Sequence, residues 1–540
     1  MNLVSLLVRR AAEHPHLPAL VDPSGGRERV VDFAALHQRV QAGAAQLEAL
    51  GLGRDSVILV FQPVSIELYE ILLAAFHRGM KVMLADPSAG REFLEHCAQR
   101  LTPDALFGPW QAHAYSLAIP RLRRLRRRII TRGWFPGATS WRTDRKESGS
   151  PFEVPDDHTA LITFTSGSTG VPKAAVRSHG LLIAQYEALS RSLAMRTGEV
   201  DLITLPVFVL ANLAAGMPSV LADTNLAKPG YPDAEAILVQ CRKHRVTRCA
   251  ASPAFFESLL RCSDGLPDFQ QVYTGGAPVT PDLLARLQQR LPQARIESVY
   301  GSSEAEPIAH FAAADWTDAL RRITRLGGGL CAGPAVPEIE LKILTDHWGR
   351  PLGPLDDAGL DALESPRGQA GEIIVTGAHV LPGYLEGIGD GETKIRVAGR
   401  IWHRTGDAGW IDEAGRVWLL GRCAAKLPAH PAPAGLPADA LSYPLAVECA
   451  LKEEFPMLRC AALAWQGRRV LVVESKDNSN DLPAIRSAAV ALGLAHCVTL
   501  EALPLDRRHN AKIDYPALKQ QLTARAQALG LPPAKRDSSA

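Results

Sequence analysis

The residues best suited to chemistry lie together in residues 161–180, L-I-T-F-T-S-G-S-T-G-V-P-K-A-A-V-R-S-H-G, an apolar entry followed by a loop of small residues. Thr165, Ser166, Ser168 and Thr169 offer hydroxyl donors, and Lys173 adds a cation. Gly167 and Gly170 allow positive φ and let the backbone approach a ligand closely. Hydroxyls, bare backbone N–H groups and one ammonium together suit phosphate. The loop is not the standard nucleotide-binding loop, which needs Gly immediately before the Lys where this chain has Pro172. A plain Ser/Gly surface turn is the bland alternative; it gives no reason for so many donors directly after a strand of buried type.

T-S-G-S-T-G-V-P-K resembles the phosphate loop of the adenylate-forming enzymes, the superfamily of acyl-CoA synthetases, peptide-synthetase adenylation domains and luciferases. Further motifs extend the resemblance over nearly the whole chain. Residues 298–304, S-V-Y-G-S-S-E, are similar to the family's Y-G-x-T-E. The resemblance implies that Tyr300, Gly301 and Ser302 lie beside the nucleotide, with the Tyr300 ring along adenine. It implies that Ser303 keeps a hydroxyl for the α-phosphate, and that Glu304 is a hard oxygen ligand for Mg²⁺. Gly275, Gly276, Ala277 and Pro278 match the glycine turn that lies against adenine. In residues 402–410, W-H-R-T-G-D-A-G-W, Asp407 matches the carboxylate that accepts from both ribose hydroxyls. Arg422, in G-R, matches a second ribose contact, and Lys512, in R-H-N-A-K-I-D-Y, the near-terminal catalytic lysine. The implied catalytic set is Lys512, Glu304, Thr169 and Lys173, acting on ATP with Mg²⁺ to join AMP to a carboxylate.

Departures from the pattern bear on what attacks the acyl-AMP. Where many acyl-CoA synthetases have an aromatic followed by His, Phe208 is followed by Val209; both suit an acyl-pocket wall or plain core. The hinge position after Arg422 reads Cys423, Ala424, Ala425, with no charge, and the usual S/T-G-K is N-A-K. This combination is similar to the olefin-pathway β-lactone synthetases and fatty acyl ligases. It implies that the substrate's own β-hydroxyl closes on the activated carbonyl, an attack of high effective molarity that needs no CoA. Formation of a CoA or carrier-protein thioester is the alternative. A non-catalytic nucleotide-binding protein is a remote one, because Lys173, Glu304, Asp407, Arg422 and Lys512 are all present.

Elements must bring these residues together. Leu36, Val40, Ala44 and Leu47 fall at helical spacing, residues 56–61 read as a buried strand, 67–78 as a helix and 81–86 as a strand. This β-α-β rhythm predicts an α/β fold: a large domain of parallel-rich sheets covered by helices over residues 1–421, and a small mobile α+β lid over 422–540. Thr280 with Pro281 predicts a helix start, and Gln466 with Gly467 a hairpin. The G-x-G-x-x-A of residues 327–332 is not read as a dinucleotide site, because an alternating strand pattern follows it.

With 540 residues, 46% hydrophobic and 21% charged, and a net charge of +2, the composition is that of a globular chain with no global attraction to nucleic acid. The nine cysteines are scattered without a C-x-x-C pair and read as free thiols. The N-terminal order of charge and apolar residues is wrong for a secretory signal, so a cytoplasmic location is expected. Six arginines between positions 121 and 130 (Arg121, Arg123, Arg124, Arg126, Arg127 and Arg128) interleave with leucines. They read either as a solvated helix or loop face, or as contact with a membrane surface, an acyl carrier protein or an acidic partner.

Overall fold

The computed structural model describes residues 1–24, 27–144, 149–165, 173–224, 233–262, 265–475, 481–505 and 513–532. The chain divides into two compact units. The first comprises residues 1–223, 239–249 and 378–391, and the second 224–238, 250–377 and 392–540.

In the first unit a seven-stranded sheet runs in the order Thr139–Ser140, Arg127–Ile130, Ala105–Gly108, Val57–Val60, Lys81–Leu84, Thr159–Thr165, Lys173–Ser178. All neighbours are parallel except the last pair. V-I-L-V and A-L-F-G are buried at every position, as central parallel strands covered on both faces must be. The predicted helix spans Phe33–Ala49, with Leu36, Val40, Ala44 and Leu47 all buried and the Asp32 carboxylate accepting from Ala35 N at 2.7 Å. A second group of strands pairs Asp201–Ile203, Ser219–Leu221 and Pro18–Asp22 in parallel, with Arg29–Asp32 antiparallel at Pro18–Asp22. The α/β class read from the sequence stands.

The arginine-rich stretch is not one continuous helix. A short helix Pro120–Arg123 turns into the strand Arg127–Ile130. Arg128 is buried, donating to Ser116 Oγ at 2.7 Å and Leu122 O at 2.9 Å. The alternation of charge and leucine is broken because the chain enters the sheet.

In the second unit Gln271–Gly275 lies parallel to Arg295–Ser302, which folds back on Ala305–Ala312. The helix Pro281–Arg290 begins at Thr280, whose hydroxyl accepts from Leu283 N, as predicted. A six-stranded sheet follows the order Leu330–Pro334, Arg416–Arg422, Arg400–Ile411, Gly371–Thr376, Glu340–Leu344, with Lys394–Val397 also paired to Arg400–Ile411. The glycines at 327–329 run into the strand Leu330–Pro334, not a helix, so the dinucleotide reading is rightly set aside. Arg404 and Glu372 form a buried pair, with Nε at 3.0 and 3.1 Å from the two carboxylate oxygens.

A three-stranded sheet holds the C-terminal part: Cys460–Trp465 and Arg468–Glu474 antiparallel, and His496–Leu500 parallel to the latter. The hairpin turns at Gln466 (φ 48°) and Gly467 (φ 73°), positive at both positions as a two-residue turn of matching twist requires. Glu448, on the helix Pro444–Glu454, accepts from Ala462 N at 2.8 Å and from the Tyr515 hydroxyl at 2.7 Å. Burial raises its carboxyl from 4.5 to about 6 against the lowering effect of these donors.

A carboxyl whose folded value lies above its unfolded one adds stability while protonated, and that contribution is lost as pH rises from the unfolded to the folded value. Folding stability should therefore fall by about 2 kcal/mol between pH 4.5 and 7 through Glu448 alone, at about 1.4 kcal/mol per unit. Denaturation midpoints compared across that range should show wild type losing stability relative to Glu448→Gln. Parallel curves would remove Glu448 as the cause.

Candidate functional site

The T-G-D segment lies within the strand Arg400–Ile411, and its geometry is local before it is tertiary. Gly406 has φ 69°, and a Cβ there would meet the Trp348 ring at 2.8 Å, so the turn admits only glycine. Thr405 donates its hydroxyl to Ile373 O at 2.8 Å and accepts from Asp407 N at 3.0 Å. Asp407 is thereby fixed opposite Arg422 in the antiparallel register. Arg422 Nη1 donates to Asp407 Oδ1 at 2.8 Å and to Thr405 O at 3.1 Å. From the strand Arg295–Ser302, the Tyr300 hydroxyl donates to Asp407 Oδ2 at 2.9 Å.

The fold thus brings together three residues that lie 107 and 15 positions apart in sequence. Burial and the facing Asp407 carboxylate hold the Tyr300 phenol well above its usual range, so it remains a neutral donor. Asp407 raises the Arg422 guanidinium in turn. Each carboxylate oxygen offers about two acceptor directions, and one on each is used here. The remaining two lie on adjacent oxygens, an arrangement that can receive two neighbouring hydroxyls.

Ser303 and Glu304 form the two-residue tip between Arg295–Ser302 and Ala305–Ala312, since Ser302 pairs with Ala305. Glu304 N donates to Ser302 Oγ at 3.3 Å. Gly301 is close-packed, a Cβ there meeting Ala305 O at 3.0 Å. At the end of the neighbouring strand Gly275 excludes a side chain because Val299 O would lie 2.4 Å from it, and Gly276 has φ 77°; Ala277 and Pro278 continue the turn.

His403 is buried nearby and held neutral, its pKa lowered to about 3 by burial first and then by Lys394, against the raising influence of Glu304. Lys394 stands directly across the strand pair, its Nζ 3.2 Å from His403 Nδ1. The sequence reading missed this buried lysine. K-I-R-V gave no signal of it, since strand alternation sets Lys394 on the face of the exposed Arg396, opposite the buried Ile395 and Val397.

In the first unit the phosphate-type loop is closed at its base by the pair Thr165↔Lys173. The Lys173 ammonium lies 5.9 Å over the Tyr384 ring, and the lysine stem fills the space where a side chain at Gly389 would go, 3.0 Å from its Cδ and Cε. Tyr384 and Gly389 were not singled out as site residues from sequence. Ser166, Gly167, Ser168, Thr169 and Gly170 lie outside the described residues, as does Lys512. The flanks of the latter segment are fixed by the bridge Leu505↔Ile513 and by Asp514 N donating to Pro504 O at 2.9 Å.

Phe208 and Val209 open a helix, Phe208–Ala215, and both are buried. After Arg422 the residues Cys423–Ala425 form a short 3-10 turn. The charge sought there comes one residue later. Lys426 Nζ lies 3.3 Å from Asp346 Oδ2, which also accepts from the Tyr443 hydroxyl at 3.1 Å. Among the described residues, no group of three His, Cys, Asp or Glu side chains could hold a metal.

With this geometry in hand, three comparisons bear on identity. The model of the family described as AMP-binding enzyme matches residues 7–385. The chain is similar to an olefin beta-lactone synthetase of Stenotrophomonas maltophilia, 30% identical over 95% of this chain and 96% of the relative. It is also similar to 4-coumarate–CoA ligase 3 of Oryza sativa subsp. japonica, 25% identical over 78% of this chain and 74% of that protein. Among solved structures it shares the fold of ATP-bound MatB from Rhodopseudomonas palustris, with a TM-score of 0.75 and 19% identity over 97% and 99% of the two chains.

If the free acceptor directions of Asp407 receive a vicinal diol, Tyr300→Phe should weaken AMP binding about five- to tenfold, the effect of one hydrogen bond that orients a charged group. Asp407→Asn should weaken it more. Titration calorimetry with AMP checks both, and unchanged affinity in the two variants would take the nucleotide away from this carboxylate.

Proposed function

The chain belongs to the AMP-binding enzyme family, and from that premise we propose that it activates a fatty-acid-like carboxylate as an acyl-adenylate and closes it to a β-lactone. A carboxylate oxygen of the substrate attacks the α-phosphorus of ATP, the α-to-β phosphoanhydride bond breaks and pyrophosphate leaves. The β-hydroxyl oxygen of the same molecule then attacks the carbonyl carbon, AMP departs and the hydroxyl proton goes to solvent. Ring strain is offset by cleavage of the mixed acyl–phosphate anhydride, and tethering gives the attack its high effective molarity. The observation that carries this reading is the 30% identity, end to end, with a protein named olefin beta-lactone synthetase. The Phe208–Val209 pair supports it, since no polar gate stands there. Similarity to a CoA ligase over 78% of the chain keeps thioester formation as the second reading, with CoA as the attacking thiol.

Roles follow from chemistry at each position. Asp407, oriented by Tyr300 and Arg422, would take the ribose, and the turn from Gly275 to Pro278 would lie along adenine. Residues 165–170 with Lys173 would hold the phosphates, with Gly301, Ser302 and Ser303 beside the α-phosphate. Glu304 fits Mg²⁺ as the one carboxylate of a site completed by substrate oxygens, the usual arrangement for this ion. Bound there, Mg²⁺ would neutralise triphosphate charge. Lys512 would add positive charge at the α-phosphate. We propose also that residues 422–540 act as a lid carrying Lys512, which the separate three-stranded sheet and its own apolar clusters support. Among the described residues no helix is long and apolar enough to cross a membrane. The nine free thiols fit a reducing cytoplasm.

Purified protein with ATP and Mg²⁺ should convert a long-chain β-hydroxy acid to its β-lactone without CoA, as followed by NMR. Accumulation of a thioester when CoA is added, with no lactone from either β-hydroxy diastereomer, would transfer the protein to the CoA ligases. Lys512→Ala should abolish pyrophosphate exchange while leaving AMP affinity within about threefold, since one hydrogen-bonded cation is lost only from the reacting phosphates.

A further inference from the structure

The arginines between positions 121 and 132 have no part in the chemistry above. Arg121, Arg123, Arg124, Arg126, Arg127 and Arg132 are exposed, on a chain whose net charge is only +2. Arg121 meets Glu95 at 3.4 Å, while the other five make no ion pair among the described residues. Surface arginines usually sit among carboxylates, so the potential here is concentrated and uncompensated.

The segments flanking these arginines carry large exposed apolar side chains: Trp110 at 47%, Leu117 at 45% and Trp134 at 78% exposure. Contacts tie them to the charges. Trp110 N donates to Arg132 O at 3.0 Å, and a Cβ on Gly133 would meet the Trp110 ring at 2.6 Å, so the loop bearing Trp134 is laid on Trp110. Phe135 turns back over Arg128, whose guanidinium carbon lies 5.6 Å from the ring centre. Arg128 donates to the carbonyls of Leu122 and Arg123 at 2.9 and 3.4 Å, holding the arginine-bearing turn beside the aromatic loop. The buried arginine thus touches both the turn that carries the exposed arginines and the loop that carries Trp134.

We propose that this surface docks on an anionic lipid bilayer. Each basic side chain near such a surface adds attraction that falls off within a Debye length, and exposed indoles settle at the depth of the headgroups. An acidic protein would satisfy the charges but gives no use for an indole as exposed as that of Trp134. The surface is remote in sequence from the residues assigned to nucleotide and needs neither ATP nor acyl substrate, so its failure and that of the lactone reading are separable.

The test is co-sedimentation of the full chain with vesicles of phosphatidylcholine alone or mixed with phosphatidylglycerol, without nucleotide. Binding to the mixed vesicles, weakened by salt, is expected. The variant Arg123→Gln/Arg124→Gln/Arg126→Gln/Arg127→Gln should bind at least about tenfold more weakly, because each charge contributes separately. Its pyrophosphate exchange with a short water-soluble acid should match wild type. Brominated lipid should quench tryptophan emission in wild type and less so in Trp134→Phe, a readout that a change in folding alone would not give. The proposal is overturned by equal binding to neutral vesicles, by no binding to the anionic ones, by undiminished binding of the arginine variant, or by capture of an acidic carrier protein where vesicles fail.

Discussion

One carboxylate, Asp407, is held between a phenol and a guanidinium that come from two other strands. The arrangement depends on register: sliding either strand by one residue would turn the relevant side chain to the opposite face. The interaction itself cannot set that register. An Arg–Asp pair with Arg422 more than half exposed contributes at most about 1 kcal/mol. The sheet holds the pair in place.

What fixes the sheet is apolar and aromatic. Trp410 and Trp418 stand opposite each other in the two strands that carry Asp407 and Arg422, their rings stacked at 5.6 Å. Each indole is also tied by hydrogen bonding, Trp410 to Gly328 O and Trp418 to Asp412 Oδ2, both at 2.9 Å. Between this anchor and Asp407 a bulge lies at Ala408 and Gly409, where a side chain on Gly409 would run into Trp418 O at 2.5 Å. The bulge is what lets an aromatic pair facing the core and the Asp407–Arg422 ion pair share the same two strands. Burying two indoles is worth several times the ion pair, so packing dominates.

The buried charges obey a different logic from the site. Arg404 spends its donors on Glu372 and Arg350 O, and Asp412 accepts four hydrogen bonds, from Ala414 N, Arg416 N and Nε, and Trp418 Nε1. Asp407 is not filled in this way, and neither are the arginines around position 125. Spare capacity on an ordered side chain, with the fold supplying the order, is the physical mark that separates these groups from structural ones.

The candidate site was picked out in the sequence by a run of hydroxyls and glycines ending in lysine and, through resemblance to a family, by an aspartate after T-G and a glutamate after Y-G-S-S. The β-α-β rhythm was written locally and the strands follow it. Thr280 capping its helix and the positive-φ turn at Gln466 and Gly467 were equally local. Lys394 beside His403, Lys426 on Asp346, and Lys173 seated against Gly389 and Tyr384 were not, because each pairing joins segments whose proximity is set by strand order. Arg128 makes the same point from the opposite side. Its sequence neighbours are exposed arginines, yet Ser116 and the carbonyls of the turn above it make burial tolerable. The sequence by itself determined which groups can donate, accept or carry charge and where the backbone can turn. Tertiary structure alone decided which of those groups are consumed by neighbours and which are left for a ligand, because satisfaction of a polar group depends on distances between residues far apart in the chain.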